Sequence, residues 1–138
     1  MKFTRKATAH WIGSGKEGKG TLTTQSTVLQ NTQYSFKTRF EDGIGTNPEE
    51  LIAAAHAGCF TMQLSFLLGE QGFIPVYLDT EAKLTFQDGS ITNILLILIG
   101  KIDKIDLHTF EIIATKAKEI CPISKLLNTN IELTVQLI

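Results

Sequence analysis

The sequence has few of the features that mark secreted, membrane-bound or nucleic-acid-binding proteins. It contains only 2 cysteines in 138 residues, too few for the disulfide framework of a small secreted domain. Its 13 lysine and arginine residues nearly balance 14 aspartate and glutamate residues, which gives a net charge of −1. No excess of basic residues therefore predicts a nucleic acid or an anionic membrane as a partner.

The first six residues are followed by no apolar run, so we expect no signal peptide and a cytoplasmic protein. Internal repeats, low-complexity segments and linkers are also lacking. A chain of 138 residues is long enough to bury one hydrophobic core. We predict a single domain over residues 1–138.

The longest helical pattern runs from Pro48 to about Gln71. Asn47 is a suitable N-cap, Glu50 stands where a capping box needs a carboxylate, and Gly72 suits the helix end. Apolar residues occupy several faces, and one stripe contains Ile52, Ala55, Cys59, Met62 and Phe66. A helix that is apolar nearly all round lies in a core or in a membrane. Polar residues interrupt the apolar run, so we predict a central core helix that buries the thiol of Cys59.

Alternating apolar and polar residues predict strands over residues 3–12, 33–40, 78–87 and 131–138, and a continuous apolar run predicts a return strand over residues 91–102, which is fourth in chain order. Asp88-Gly89 predicts a tight hairpin turn between the third and fourth of these. Asp106 is a suitable N-cap for a second helix that extends to about Ile120, with Leu107, Phe110, Ile113, Ala114 and Ala117 as its buried stripe. A short helix is expected from Pro122 through Leu127.

This order of elements predicts an α+β domain with antiparallel sheets around helices. The strand over residues 91–102 is apolar on both faces, so both faces need cover. The central helix is one expected cover. A second copy of the chain is the other, so we expect a homodimer.

A glycine-rich segment, residues 13–20, matches G-x-G-x-x-G and most of a phosphate-binding loop. Both motifs need a helix to follow, because the phosphate binds at a helix N-terminus. The residues that follow, 21–28, favour a strand, and Gly20 replaces the serine or threonine that would contact Mg²⁺. A hairpin turn is the better interpretation.

The two cysteines differ in their expected surroundings. Cys59 is about a dozen residues inside its helix, too far from the N-terminus for the helix dipole to activate it. Burial raises a thiol pKa unless a cation is near. Arg39, on the polar face of the strand predicted over residues 33–40, is the best candidate cation, and Glu49 is placed to hold its guanidinium with two hydrogen bonds. Cys121, at the start of the short helix, should have a lower pKa and better access.

Other interpretations of these residues stay open at this point. Free cysteines are often small buried hydrophobes with no chemistry. His56 is three residues before Cys59, and with Cys121 these residues imitate a metal site, but no fourth ligand has a useful spacing. We therefore expect no metal, and a His56 side chain that is simply hydrogen-bonded within the helix packing.

Several motifs in the same order resemble those of the osmotically inducible protein C family. They are Thr-Arg-Phe-Glu at 38–41, Gly-Thr-Asn-Pro-Glu-Glu-Leu-Ile at 45–52, His-Ala-Gly-Cys-Phe at 56–60 and Cys-Pro-Ile-Ser at 121–124. Ala-His-Trp at 9–11 and Gly-Lys-Gly at 18–20 extend the resemblance over essentially the whole chain. The residues Asn-Pro-Glu-Glu at 47–50 and the position of Arg39 favour this branch over the related organic hydroperoxide resistance proteins. Gly58 departs from the alanine that is more usual there.

The resemblance implies an intertwined homodimer in which antiparallel β-sheets wrap a long central helix. It implies a thiol peroxidase that acts on hydroperoxides, preferring organic ones, and that needs no cofactor. Cys59 would be the peroxidatic cysteine, Cys121 the resolving cysteine, and Arg39 with Glu49 the activating pair. A dithiol, of the lipoyl type in relatives, would reduce the disulfide. Two rival classes are a non-catalytic binding module and a structural protein with inert cysteines.

Overall fold

The computed structural model describes all residues from 1 to 138 and divides into two compact units, residues 1–51 and residues 52–138. The first unit contains β1 (Ala7–Ile12), β2 (Lys19–Thr24), β3 (Thr32–Tyr34) and α1 (Phe36–Phe40), and α2 (Pro48–Glu70) begins in it. The second contains the rest of α2, β4 (Tyr77–Gln87), β5 (Ser90–Lys101), α3 (Leu107–Ile120), α4 (Pro122–Leu126) and β6 (Asn130–Leu137). The single domain over residues 1–138 stays a prediction.

The predicted α+β architecture, with a long helix and two small sheets, is confirmed. The sheets have strand orders β1-β2-β3 and β4-β5-β6. One detail of the prediction is wrong: β6 runs parallel to β5, so the second sheet is mixed rather than antiparallel. The physical reason lies in the connection between the two strands, because α3 and α4 return the chain to the end of the sheet where β5 started.

The glycine-rich segment forms the hairpin turn between β1 and β2, as predicted. Ile12 pairs with Lys19 across the turn, and a strand follows where a phosphate-binding loop would need a helix. Trp11 and Tyr34 approach each other with ring centroids 5.3 Å apart. A side chain at Gly20 would collide with both rings. This glycine therefore serves packing in the first sheet.

The strand predicted over residues 33–40 is wrong beyond Tyr34. Ser35 begins α1 instead, because its hydroxyl accepts a hydrogen bond from the N–H of Thr38 at 3.3 Å. The Thr38 hydroxyl accepts one in return from the N–H of Ser35 at 2.9 Å. Such local side-chain bonds compete with strand pairing, and here they outweigh the alternating pattern. Arg39 accordingly lies on a short helix and not on a strand.

Both predicted ends of α2 are confirmed, but the capping box predicted at its start is only half formed. Asn47 Oδ1 accepts a hydrogen bond from the N–H of Glu50 at 2.8 Å, while the Glu50 carboxylate accepts one from the hydroxyl of Thr46 at 2.6 Å. Gly72 follows the helix with φ of 84°, and the N–H of Phe73 reaches the carbonyl of Leu68 at 2.9 Å. By length and composition alone α2 could cross a membrane, a test that the core helix of a soluble protein also passes.

The second unit holds a hydrophobic core between α2, β5 and α3. Its fully buried apolar side chains are Phe60, Leu64, Leu68, Ile94, Leu96, Leu98, Phe110, Ala114 and Ala117. The prediction is a core helix that is apolar nearly all round, yet the stripe from Ile52 to Phe66 is not buried along its length, since Met62 and Phe66 are 64% and 65% exposed. The buried stripe of α2 contains Phe60, Leu64 and Leu68. Both this stripe and the exposed one are apolar, so only the packing of this chain distinguishes them. Leu107 was also predicted as buried and is exposed, whereas the rest of its stripe on α3 is buried.

The hairpin between β4 and β5 is confirmed at Asp88-Gly89. Both residues have positive φ, 49° and 82°, as a two-residue turn of this kind requires. Gln87 pairs with Ser90 directly across it. Along β5 the side chains alternate between fully buried and half-buried, so one face lies against the core and the other is only partly covered within this chain.

Candidate active site

The two cysteines meet in the second unit. Cys59 lies in the middle of α2 and is half-buried, whereas Cys121 stands between α3 and α4 and is fully buried. Cys121 ends α3 through its N–H, which bonds the carbonyl of Ala117 at 2.9 Å, and Pro122 then begins α4. Both thiols are free, and they lie close enough for Cys121 to influence the pKa of Cys59. The structure thus brings together the pair that the sequence only placed 62 positions apart.

The surroundings of Cys59 favour the thiol over the thiolate. Burial is the largest cause and raises the pKa of Cys59, and the hydrogen bond and charge of Cys121 raise it further. The backbone N–H of Ile123, in the first turn of α4, bonds Cys59 and lowers its pKa by less than these raise it. None of these influences is a cation. The pair is therefore well placed for a disulfide, while the nucleophile itself is not activated by what surrounds it here.

The predicted exposures of the two cysteines are wrong in opposite directions. Cys121 was expected to have the better access and is fully buried, while Cys59 was expected to be buried and is only half-buried. The reason for the first is visible along α3. Its buried side chains follow one another at three- and four-residue steps, through Phe110, Ala114 and Ala117, and Cys121 is the next step of the same stripe.

Arg39 and Glu49 form the second predicted pair, in the first unit. The Arg39 Nε donates to Glu49 Oε1 at 2.6 Å, with 41% of the arginine and 15% of the glutamate side chain exposed. The expected two-pronged contact is wrong in one respect, because Glu49 Oε2 is buried without a hydrogen-bond partner. The guanidinium also lies over the ring of Phe40, 5.2 Å from its centroid.

A small cavity of about 120 Å³ opens beside this ion pair. Arg39 lines it together with aromatic and apolar side chains, among them Trp11, Tyr34, Phe36 and Phe40. An arginine at the wall of an apolar cavity is suited to a ligand with one polar and one hydrocarbon end. The four predicted site residues therefore form two pairs, the thiols in the second unit and the ions in the first.

His56 is fully buried, and its Nε2 lies 2.7 Å from the hydroxyl of Ser124. Its Nδ1 is buried with no hydrogen-bond partner. Burial lowers the pKa of His56, so the ring is neutral at pH 7. The predicted hydrogen-bonded histidine is confirmed, but its partner Ser124 was missed. No group of three or more His, Cys, Asp or Glu side chains is arranged to hold a metal ion.

The chain is similar to known proteins over its whole length. The sequence model of the OsmC-like protein family matches residues 41–136. Peroxiredoxin OsmC of Escherichia coli is 48% identical over 99% of both chains. The organic hydroperoxide resistance protein OhrB of Bacillus subtilis is 29% identical over 98% of this chain and 97% of its own. The crystal structure of OhrB superposes with a TM-score of 0.70 at 27% identity, covering 99% of this chain and 98% of its own.

Proposed function

The chain belongs to the OsmC family, and on that basis we propose that it is a cysteine-dependent peroxidase that reduces organic hydroperoxides to alcohols. The observation that carries the proposal is the proximity of the Cys59 and Cys121 thiols in the second unit, where Cys121 raises the pKa of Cys59 and Cys59 packs against the core that contains Cys121. Two cysteines that far apart in sequence meet only through the fold, and a thiol pair in contact is what an intramolecular disulfide requires. The names of the two relatives, a peroxiredoxin and an organic hydroperoxide resistance protein, support the same chemistry.

In the proposed cycle Cys59 is the peroxidatic residue. Its thiolate attacks the terminal oxygen of the hydroperoxide, the O–O bond breaks, and the alkoxide leaves with a proton as the alcohol. Cys59 is then a sulfenic acid. The Cys121 sulfur attacks the Cys59 sulfur, an S–S bond forms, and the S–O bond breaks with loss of water. Two thiols of a dithiol reductant restore both cysteines by disulfide exchange.

Arg39 is the proposed source of activation. Burial is the largest influence on the pKa of Cys59 and raises it, so the nucleophile needs a positive charge in the reacting complex. A guanidinium stabilises both a thiolate and the alkoxide that develops as the O–O bond breaks. Glu49 holds the arginine by its bond at 2.6 Å and so fixes the direction of the remaining guanidinium N–H groups.

The cavity beside Arg39 supports a preference for organic over inorganic hydroperoxide. Its aromatic lining contacts the hydrocarbon part of an alkyl hydroperoxide, a contact that hydrogen peroxide lacks. In this proposal the enzyme needs no cofactor and works in the cytoplasm in defence against oxidative and osmotic stress. A cellular dithiol of the lipoyl type is the proposed reductant.

We also propose that the working form is an intertwined homodimer. Met62 and Phe66 lie on one stripe of α2 and are exposed in the single chain by 64% and 65%. Large apolar side chains in one stripe of a core-forming helix are typical of a surface that a partner covers. Met62→Glu should therefore shift the protein from dimer to monomer in light scattering at fixed concentration. Lys83→Glu, at an exposed position of β4, serves as the control and should leave the dimer intact. A monomer in the unsubstituted protein would contradict this.

The test of the proposed reaction is the intact mass and free-thiol count after one equivalent of cumene hydroperoxide is added to reduced protein. We expect two thiols and two hydrogen atoms to be lost, and Cys59→Ser to abolish the reaction. Cys121→Ser should stop at the sulfenic acid or its overoxidised products. Survival of both thiols in a tenfold excess of hydroperoxide would refute the peroxidase and favour the binding-module class.

A further inference from the structure

A second polar pair joins the same two helices as the thiols. His56 precedes Cys59 by three residues on α2, and Ser124 follows Cys121 by three residues on α4. Residues three apart on a helix lie on the same side, one turn from each other. The hydrogen bond between His56 Nε2 and Ser124 Oγ, at 2.7 Å, therefore ties α2 to α4 about one turn away from the contact between the sulfur atoms.

The hydrogen-bonding capacity of His56 is directed to Ser124 alone. The ring is fully buried and neutral, and its Nδ1 has no partner. A buried N–H without an acceptor is costlier and rarer than a bare acceptor atom. The ring proton therefore belongs on Nε2, and Nε2–H donates to the serine hydroxyl. A buried neutral bond of this kind is lost entirely when either side chain is truncated.

The short helix α4 has little else to fix its position. It has 5 residues, none of them fully buried, and a helix of that length is not stable by itself. Ile123 and Leu127 pack only partly against the core. The bond from Ser124 to the buried histidine is thus the one hydrogen bond between side chains of α4 and α2, and it adds to the bond from the Ile123 N–H to Cys59.

We propose that His56 and Ser124 are positioning residues for disulfide formation, which hold Cys121 at Cys59 through α4. This proposal rests on the proposed peroxidase function, because the step that the two residues would assist is the attack of Cys121 on the Cys59 sulfenic acid. If α4 moves away, that attack slows. A second hydroperoxide molecule then has time to oxidise the sulfenic acid to the sulfinic acid, with release of a second alcohol.

The first experiment follows rapid mixing of reduced protein with cumene hydroperoxide, quenched at intervals and read by intact mass. In Ser124→Ala we expect sulfenic acid formation at Cys59 to keep its rate, while disulfide formation slows about fivefold, the effect of one lost hydrogen bond. In excess hydroperoxide the sulfinic product should increase. Ser124→Thr keeps a hydroxyl and should restore disulfide formation.

A matched control removes a hydroxyl outside α4 that is hydrogen-bonded to a different residue of α2. Thr61 on α2 donates to Thr80 Oγ1 on β4 at 2.7 Å, so Thr80→Ala deletes an equivalent bond without touching α4. Disulfide formation should keep its rate in this variant. His56→Leu should slow disulfide formation as Ser124→Ala does, and the double variant should add nothing further, because one bond is removed in each case.

The second experiment measures formation of the Cys59–Cys121 disulfide, here called closure, with no hydroperoxide present. The aromatic disulfide dithiobis(nitrobenzoate) first labels Cys59, the more accessible thiol: the Cys59 sulfur attacks one sulfur of the reagent, and one thionitrobenzoate leaves. The Cys121 sulfur then attacks the Cys59 sulfur, the protein disulfide forms and a second thionitrobenzoate leaves. The absorbance change of this second release gives the rate. We expect this release also to be about fivefold slower in Ser124→Ala.

The two experiments separate the two claims. If the unsubstituted protein fails to react with hydroperoxide but closes its disulfide more slowly in Ser124→Ala, the peroxidase is refuted and the positioning role stands. If hydroperoxide reacts and both closure rates are unchanged in Ser124→Ala, the positioning role is refuted and the peroxidase stands. Equal slowing of sulfenic acid formation and of closure would also overturn the positioning role, because it would indicate general loosening.

Discussion

The thiol pair and the ion pair are held by different kinds of structure. Cys59 packs against a core of fully buried side chains to which Cys121 belongs, and the two residues lie in the middle of one helix and at the end of another. Arg39 and Glu49 stand on a helix of 5 residues and on the first turn of α2, where capping bonds set the backbone. Core packing thus sets where the sulfur atoms lie, with the His56–Ser124 bond added to it, whereas hydrogen bonds near the start of α2 set where the charges lie.

The difference matches what each pair has to do in the proposed reaction. Disulfide formation needs two sulfur atoms at short distance in a site that excludes water, which a packed core provides. Stabilising a thiolate and an alkoxide needs a positive charge held in a fixed direction, which the bond from Arg39 to Glu49 provides. The thiol pair should therefore be sensitive to core substitutions and the ion pair to substitutions of caps and charges.

The largest expected effect comes from removing the core beneath the thiols. Phe60 is fully buried one residue after Cys59, so Phe60→Ala should lower the free energy of unfolding by about 3–5 kcal/mol. Phe40→Ala, beside the ion pair, removes a ring that is 45% exposed and should cost about 1 kcal/mol. Urea unfolding at a fixed protein concentration measures both. Equal losses of unfolding free energy in the two variants would show that the thiol pair does not depend on core packing more than the ion pair does.

Next in size is the effect of the ion pair on reactivity. Arg39→Gln should slow the first reaction of Cys59 with hydroperoxide by about 100-fold, because one charged stabiliser of the transition state is lost. Its free energy of unfolding should fall by less than about 1 kcal/mol, as for other partly exposed ion pairs. Lys37→Gln removes an exposed cation from the same helix and should leave the rate unchanged. A rate in Arg39→Gln within threefold of the original would exclude Arg39 from the reaction.

A smaller effect is expected where capping holds the charges. Asn47→Ala deletes the acceptor for the N–H of Glu50 and should cost about 1 kcal/mol of unfolding free energy. The exposed Asn128, outside any helix or strand, provides the control. Asn128→Ala should change the free energy by no more than about 0.5 kcal/mol. If both variants behave alike, the cap does not hold the start of α2.

The smallest effect should appear in the pH dependence of stability. Burial lowers the pKa of His56, so the unfolded chain binds a proton more readily than the folded protein does. The contribution of the neutral His56 ring to stability is complete above about 6.5, the pKa of histidine in the unfolded chain. That contribution falls as the pH drops below this value and levels off below the folded pKa. Urea titrations from pH 8 to pH 5 should show a shallower fall in His56→Gln, and identical slopes would contradict this account.

The local parts of the fold were predictable because their causes are local. Asn47, Asp106 and Pro122 mark helix starts through their own backbone bonds and ring geometry, and Asp88-Gly89 marks a turn by its backbone freedom. The same reasoning failed at residues 35–40. There two local signals competed, and the capping box of Ser35 and Thr38 outweighed the alternating pattern.

The sequence by itself determined the element order apart from α1, the two cysteine motifs and, through resemblance, the family. Those features depend on residue identity and on short-range hydrogen bonding. Only the tertiary structure decided which apolar stripe of α2 is buried, that β6 runs parallel to β5, that Cys121 is the more buried thiol and that Ser124 bonds His56. Each of these depends on contacts between residues far apart in the chain, and periodicity along one element cannot distinguish between partners that are equally apolar.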